Sequence, residues 1–212
     1  MNIVSYLPTI ITLIFLLFVL SYYVLMFLKE KKIKNGKSFS SITVIIPAHN
    51  EEPYIAECVQ SVLAADFRGK KEVIVVDDGS KDNTYGIAKA VPGITVIQTK
   101  HMGKSASLNL ALKRAKGEVI AVVDGDSIIA KDSLVKITRV LSGRNVAAAC
   151  CVVKVRNRKS LLGMWMHIEQ IYNSLLRSIF AKVNANVTTP GPLSVYRANL
   201  LREIGGFSTK GF

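Results

Sequence analysis

Val122-Val123-Asp124-Gly125-Asp126 ends an apolar run that begins at Glu118, and this run decides how the chain is read. Its length and β-branched richness predict a strand buried on both faces, halted by two carboxylates with one glycine between them. Ligands of open α/β sheets bind beyond the carboxyl ends of parallel strands. Two closely spaced acids at such a place can hold a hard divalent cation that keeps waters or phosphates as its other partners. The competing reading is a plain Asp-Gly turn whose second acid caps the next segment, so the flanking chain has to decide.

Upstream, residues 42–46 form a β-branched run stopped by Pro47, and residues 48–53 read as a loop and helix start, with Asn50 as N-cap and acids in the first turn. That helix reaches about Ala65. A second strand over 72–76 ends in Asp77-Asp78-Gly79-Ser80, a short helix runs from Asp82 to about Ala90, and 94–97 is a third strand. After His101-Met102-Gly103-Lys104-Ser105, a helix over 106–115 leads to the fourth strand and its acids. The β-α-β-α-β-α-β order predicts an α/β fold: a mainly parallel, Rossmann-like sheet with right-handed crossovers, helices on both faces and all four loops along one edge. Downstream, Asp132 reads as the N-cap of a helix to about Leu141, and 146–155 as a long apolar strand. A long helix carries Leu161, Trp165, Ile168, Tyr172, Leu175 and Ile179 at i, i+3, i+4 spacing. Such a stripe serves either as core or as the face of a helix resting on a membrane surface. A rigid Pro190-Gly191-Pro192 turn, a short strand and a brief helix over 199–203 complete the pattern.

With 212 residues and half of them hydrophobic, the chain can bury one sizeable core. Residues 3–28 hold no charged side chain, which predicts a helix crossing a ~30 Å hydrocarbon layer. A cleavable signal is disfavoured by the absent basic start, the length and the lysines beyond it. Residues 29–37 hold five lysines and one glutamate, +4 of the chain's net +13, so the positive-inside rule puts the remainder of the chain in the cytoplasm. The expected layout is a transmembrane helix over 1–28, a basic linker over 29–41 that anionic membrane lipids attract, and one domain over 42–212. A basic domain at a membrane points to anionic partners. Nucleic acid is excluded, because the charges are scattered, with no basic helix and no interleaved aromatics. Cys58, Cys150 and Cys151 have no metal-type spacing and read as reduced core residues.

Gly103-Lys104-Ser105 is no P-loop, since Gln98 stands where that motif needs its first glycine. The loop after the first strand has no glycine-rich turn for a dinucleotide. The Asp124-Gly125-Asp126-Ser127 segment also looks like the nucleophile loop of haloacid-dehalogenase-type phosphatases, but three βα units precede it and Ile128 occupies the place of the usual Thr or Val.

Taken together, Ile45-Ile46-Pro47-Ala48-His49-Asn50-Glu51-Glu52, Val75-Val76-Asp77-Asp78-Gly79-Ser80, Gly103-Lys104-Ser105-Ala106-Ser107-Leu108-Asn109, Asp124-Gly125-Asp126, Pro190-Gly191-Pro192-Leu193-Ser194 and Gly205-Gly206-Phe207 resemble the family 2 glycosyltransferases of GT-A fold. The likeness is to the membrane-bound, polysaccharide-synthase branch. It implies an inverting transfer from a nucleotide-diphosphate sugar, a UDP-sugar foremost, to a polysaccharide or lipid-linked acceptor. It also implies that Pro47, His49, Glu51, Asp77 and Asp78 hold the nucleoside, with His49 where the family usually has Tyr. Lys104, Asn109 and Asp124 would meet the diphosphate or the sugar. Asp126, with Asp124, would ligate Mg2+ or Mn2+, and Pro190, Gly191 and Pro192 would lie on the acceptor side. The family's Glu-Asp general base and Gln-x-x-Arg-Trp motif are not found before Phe212. The expectation is therefore a truncated enzyme, or one completed by a partner chain; the alternative is an inactive nucleotide-sugar-binding membrane subunit.

Overall fold

The computed structural model describes residues 6–29, 38–183 and 191–209. Most of the basic linker, Pro190 of the acceptor-side turn and residues 210–212 lie outside the described residues. The chain divides into two compact units, one built from α1 (Leu7–Phe27) and α6 (Leu161–Lys182), the other from the remaining elements. The expected boundary at residue 42 does not foresee that α6 groups with α1.

α1 is 21 residues long, or roughly 32 Å at 1.5 Å per residue, and none of its residues is buried. Among the described residues it is the one helix long and apolar enough to cross a membrane. Its serine and threonine hydroxyls are satisfied within the helix: Thr12 Oγ1 donates to Pro8 O (2.9 Å) and Ser21 Oγ to Phe18 O (2.7 Å). No water is needed for either.

The second unit contains β1 (Ser41–Ala48), α2 (Ile55–Ala64), β2 (Lys70–Asp77), α3 (Thr84–Lys89), β3 (Thr95–Gln98), α4 (Lys104–Arg114), β4 (Val119–Val122), α5 (Ser133–Leu141) and β5 (Ala148–Cys150). A 3-10 turn, Gly191–Leu193, then leads into β6 (Ser194–Arg197) and α7 (Ala198–Glu203). The six strands form one sheet in the order β3-β2-β1-β4-β6-β5. β1 is parallel to β2 and β4, and β2 to β3, while β6 is antiparallel to both β4 and β5.

Alternate residues of the central strands feed two cores. Ile42, Val44 and Ile46 pack on one face with Ile55, Val59, Leu134 and Ile137. Ile45, Ile74 and Ile120 pack on the other with Leu108, Ala111 and Leu201. Helices thus cover both faces, as the near-continuous apolar runs of β1 and β4 require. Each fully buried Ile contributes about 1.5–3 kcal/mol relative to exposure.

Three local expectations are corrected. Asn50 is not an N-cap: it sits at φ 56°, its Oδ1 accepts the Lys81 N–H (2.8 Å), and α2 begins only at Ile55 after a turn closed on Glu51 O. Asp132 occupies the N-cap position of α5 without capping it, its carboxylate taking Lys136 instead. The long strand expected over 146–155 shrinks to three residues, because β5 has β6 alone as its partner and its register ends at Cys150↔Ser194. Apolar patterning cannot mark where a partner strand stops.

Candidate functional site

The site grows from the carboxyl ends of β1, β2 and β4, which adjoin because β1 pairs with both neighbours. Val123 N–H donates to Ile45 O (3.0 Å). The next donor along β1 would be residue 47, a proline, and the β1–β4 ladder stops there. Past this point Asp124-Gly125-Asp126 turns out of the sheet against the loop after β1. A Cβ on Gly125 would lie 3.1 Å from Glu51 Cγ and 3.3 Å from Pro47 O, so glycine is what lets the acidic loop lie so close.

Glu51 and both loop acids therefore share one corner. Burial raises the Glu51 carboxyl above the ordinary glutamate pKa, the negative charges of Asp126, Asp124 and Asp82 raise it further, and His49 opposes them. Asp126 is exposed and accepts the Ser127 hydroxyl at 3.2 Å. Asp124 is half-buried and takes the Lys104 ammonium on Oδ1. Beneath the loop, Cys58 Sγ donates to Asp124 O at 3.4 Å. Burial, with smaller contributions from the acids above, pushes this thiol up to about 12, so it stays protonated.

Asp78 organises the opposite wall. It is 4 % exposed, and its carboxylate accepts the Met102 and Gly103 N–H groups (2.9 Å each) and the Thr99 hydroxyl (3.2 Å). Burial pushes its pKa up, and these hydrogen bonds outweigh that, holding it below the ordinary aspartate range. The loop so held delivers Lys104 as the first residue of α4. His49 Nδ1 donates to Asp78 O (2.8 Å) and its Nε2 accepts the Asn50 amide (3.0 Å), which fixes the tautomer. The His101 ring lies against it, with centroids 4.4 Å apart, and its Nδ1 is 3.2 Å from Asp78 Oδ2. Asp77 is fully buried and accepts Ser80 N–H (3.3 Å) and Gln98 Nε2 (3.4 Å).

The structure thus brings Pro47, His49, Glu51, Asp78, Lys104, Asp124 and Asp126 to one sheet edge. Asn109 is spent elsewhere: its Nδ2 donates to Phe207 O and its Oδ1 accepts Phe207 N–H, both at 2.8 Å. It fastens the Gly205-Gly206-Phe207 turn to α4. On the other side, β6 starts with Ser194 opposite Val122, so Gly191 and Pro192 lie next to the strand that carries Asp124.

Sequence reasoning missed His101, Asp82 and Thr84. Thr84 Oγ1 donates to Asp82 and accepts Glu51 N–H (2.8 Å), and so fixes the backbone of the loop that carries Glu51. An acid and a threonine two residues apart at a helix start are the available signal, but their target lies 33 residues upstream. Among the described residues, no three His, Cys, Asp or Glu side chains form a ready metal cage. A Mg2+ or Mn2+ ion that keeps phosphates and waters needs only one or two carboxylates. Asp126 and Asp124 fit that need: they lie beside Glu51, where burial first and then their negative charges raise its carboxyl pKa, so a cation would offset like charge in this corner.

Residues 43–205 match the family described as glycosyl transferase family 2. An N-acetylglucosaminyltransferase of Mesorhizobium japonicum is 29% identical over 181 residues, 79% of this chain and 42% of that protein. The poly-beta-1,6-N-acetyl-D-glucosamine synthase of Staphylococcus aureus (strain COL) is 28% identical over 190 residues, 86% of this chain and 45% of that one. The chain thus spans less than half the length of these two relatives. Among solved structures, a mannosyltransferase of Pyrobaculum calidifontis in complex with GDP-Man and Mn2+ has a TM-score of 0.75 at 28% identity, covering 91% of this chain and 55% of that one. S. aureus TarS 1-349 in complex with UDP-GlcNAc has a TM-score of 0.58 at 26% identity, covering 79% of this chain and 48% of that one. The sheet order, the acids at the strand ends and a family match over most of the length lead to one conclusion: this chain is a member of glycosyl transferase family 2, with the GT-A fold.

Proposed function

We propose that the chain carries the donor-binding machinery of a membrane-anchored, inverting glycosyltransferase that takes its sugar from a nucleotide diphosphate, with UDP-N-acetylglucosamine as the first donor to test. The acceptor is a growing polysaccharide or a lipid-linked acceptor. α1 anchors the chain in the cell membrane, with the transfer domain on the cytoplasmic side. The observation that carries the proposal is the meeting of Glu51, Asp124 and Asp126 beside Lys104 at the carboxyl ends of β1 and β4. Relatives acting on N-acetylglucosamine support the choice of donor, and the mannosyltransferase bound to GDP-Man makes GDP-mannose the comparison.

Transfer leaves a diphosphate dianion, and stabilising its growing charge is the main catalytic demand. Asp126 and Asp124 would hold Mg2+ or Mn2+, which when bound neutralises charge on the phosphates. Lys104, at the first turn of α4, exchanges Asp124 for a phosphate oxygen, where the free N–H groups of the helix start also favour an anion. His49 offers the nucleoside a ring face. Asp78 acts through the loop it holds, setting where Lys104 sits. Pro192 and its neighbours line the approach of the acceptor hydroxyl.

The test is release of UDP from UDP-N-acetylglucosamine, with and without Mn2+, by the chain in lipid. We expect metal-dependent release that Asp126→Ala abolishes. Binding of the donor without release would instead identify an inactive donor-binding subunit. Failure of UDP- and GDP-sugars alike to bind would overturn the proposal.

A further inference from the structure

The proposed chemistry leaves the apolar stripe of α6 unused. Leu161, Trp165, Ile168, Tyr172 and Leu175 recur at three- and four-residue spacing on one side of the helix and are 86, 69, 62, 55 and 40 % exposed. The opposite side carries His167, Gln170, Asn173, Ser174 and Arg177, with Met166 (44 % exposed) the large apolar residue among them. The row continues to Ile179, which is buried at 1 % exposure. One turn later the Lys182 ammonium donates to Met26 O at 2.8 Å and lies 3.4 Å from Leu25 O, in the last turn of α1. The end of α6 is therefore pinned to the end of the helix that spans the bilayer, at the depth where α1 leaves the hydrocarbon.

We propose that α6 lies in the membrane–water interface, with its Leu161-to-Leu175 face sunk into the headgroup and acyl boundary of an anionic lipid bilayer. The proposal rests on reading α1 as a membrane span. An exposed apolar band of this extent marks an interaction surface. A strict two-per-heptad seam would fit a second helix, but Met164 (53 % exposed) and Ile171 (54 %) widen the band along one side, as a lipid-facing helix requires. Charge selects the same partner. Lys154, Arg156, Arg158 and Lys159 precede the helix and Arg177 and Lys182 lie near its end, with Glu169 the one acid between Lys154 and Lys182. Arg158 and Lys159 stand just ahead of the N-cap Ser160, where positive charge opposes the helix dipole, and anionic headgroups would relieve that repulsion. Trp165 and Tyr172 have the amphipathic rings that favour this depth. The apolar face of an interfacial helix sinks about 5–10 Å.

Trp165 is the chain's only tryptophan, so it reports on the helix without labelling. The full-length chain is reconstituted into vesicles containing phosphatidylglycerol whose acyl chains are brominated either near the headgroup or near the methyl end, and flotation is scored on the same samples. We expect the chain to float, Trp165 to lose most of its emission to shallow bromines and little to deep ones, and iodide in the buffer to quench it weakly. Leu161→Glu with Ile168→Glu should reduce the shallow quenching severalfold while the chain still floats. A chain that does not float refutes the reading of α1 and the proposal with it. A floating chain whose Trp165 is open to iodide refutes the interfacial helix alone. So does one shielded from iodide and bromines alike, which would mean that protein, such as a second copy, covers this face.

Discussion

Asp78→Ala tests whether the wall of the donor site is built as described. The carboxylate is almost fully buried and accepts two backbone N–H groups and one hydroxyl from residues 99–103. Hydrogen bonds to a charged group contribute about 1.5–3 kcal/mol each. Met102 is exposed and Gly103 half-exposed, so water would replace part of what is lost, and the expected destabilisation is roughly 2–4 kcal/mol. With a urea slope of about 2 kcal/mol per molar, the unfolding midpoint of the sheet unit should fall by roughly 1–2 M. Asp78→Asn keeps one acceptor oxygen and should fall in between. Acid adds a second readout. The folded-state pKa of Asp78 is depressed, so its contribution is present in full above about pH 4, the unfolded value, and is lost as pH falls through the lower folded value. The alanine variant should therefore lose less stability than the wild type on going below pH 4. Because the same loop sets Lys104, the Michaelis constant for the donor should rise as well. A midpoint within the error of wild type, or an unchanged acid response, would refute this account of the wall.

Lys104→Ala should separate two roles. Removing the partly exposed pair frees Asp124, so Mn2+ alone should bind a few-fold tighter, given about 0.2–1 kcal/mol for such pairs, while affinity for UDP with Mn2+ falls; a parallel change in both contradicts the exchange of partners. Glu51 has a raised folded-state pKa, so the fold binds its proton more tightly than the unfolded chain does, and stability from this group declines as pH rises through the folded value. Glu51→Gln should accordingly raise the melting temperature of the metal-free chain at pH 7 but not at pH 4. Gly206→Ala places a Cβ 2.4 Å from Asn109 Oδ1 at φ 90° and should cost about 1–3 kcal/mol in urea melts; no loss would mean that the turn is not fastened to α4 as described. Cys58, buried and with its pKa near 12, should resist alkylation at pH 8 until urea unfolds the sheet.

The parallel half of the sheet was legible because β1, β2 and β4 are buried on both faces and announce themselves as apolar runs, each ending in a proline or an acid. The antiparallel insertion of β6 between β4 and β5 was not, since four residues with one tyrosine and one arginine carry no mark of their partners or direction. The acids of the site could be read from their place at strand ends. Their uses could not: Asp77, Asp78 and Asp82 look alike in the chain, yet each accepts from a different part of the structure. Asn109 was read with Lys104 because the two share a motif, whereas its partner Phe207 lies 98 residues away and only folding brings them together. Helix starts failed for a related reason. Asn50 has the chemistry of a cap, but the Lys81 and Ser80 groups across the loop hold it in a left-handed turn instead.

The central claim is that the acidic end of β4 binds a nucleotide diphosphate through a divalent ion. Titration calorimetry of the full chain in lipid with UDP, in Mn2+ and in a chelator, for wild type and Asp126→Ala, tests it most directly. The account predicts binding by the wild type in Mn2+ alone, and a loss of tenfold or more in the variant, about 1.4 kcal/mol. Equal UDP affinity with and without metal, or unchanged affinity in the variant, would contradict it.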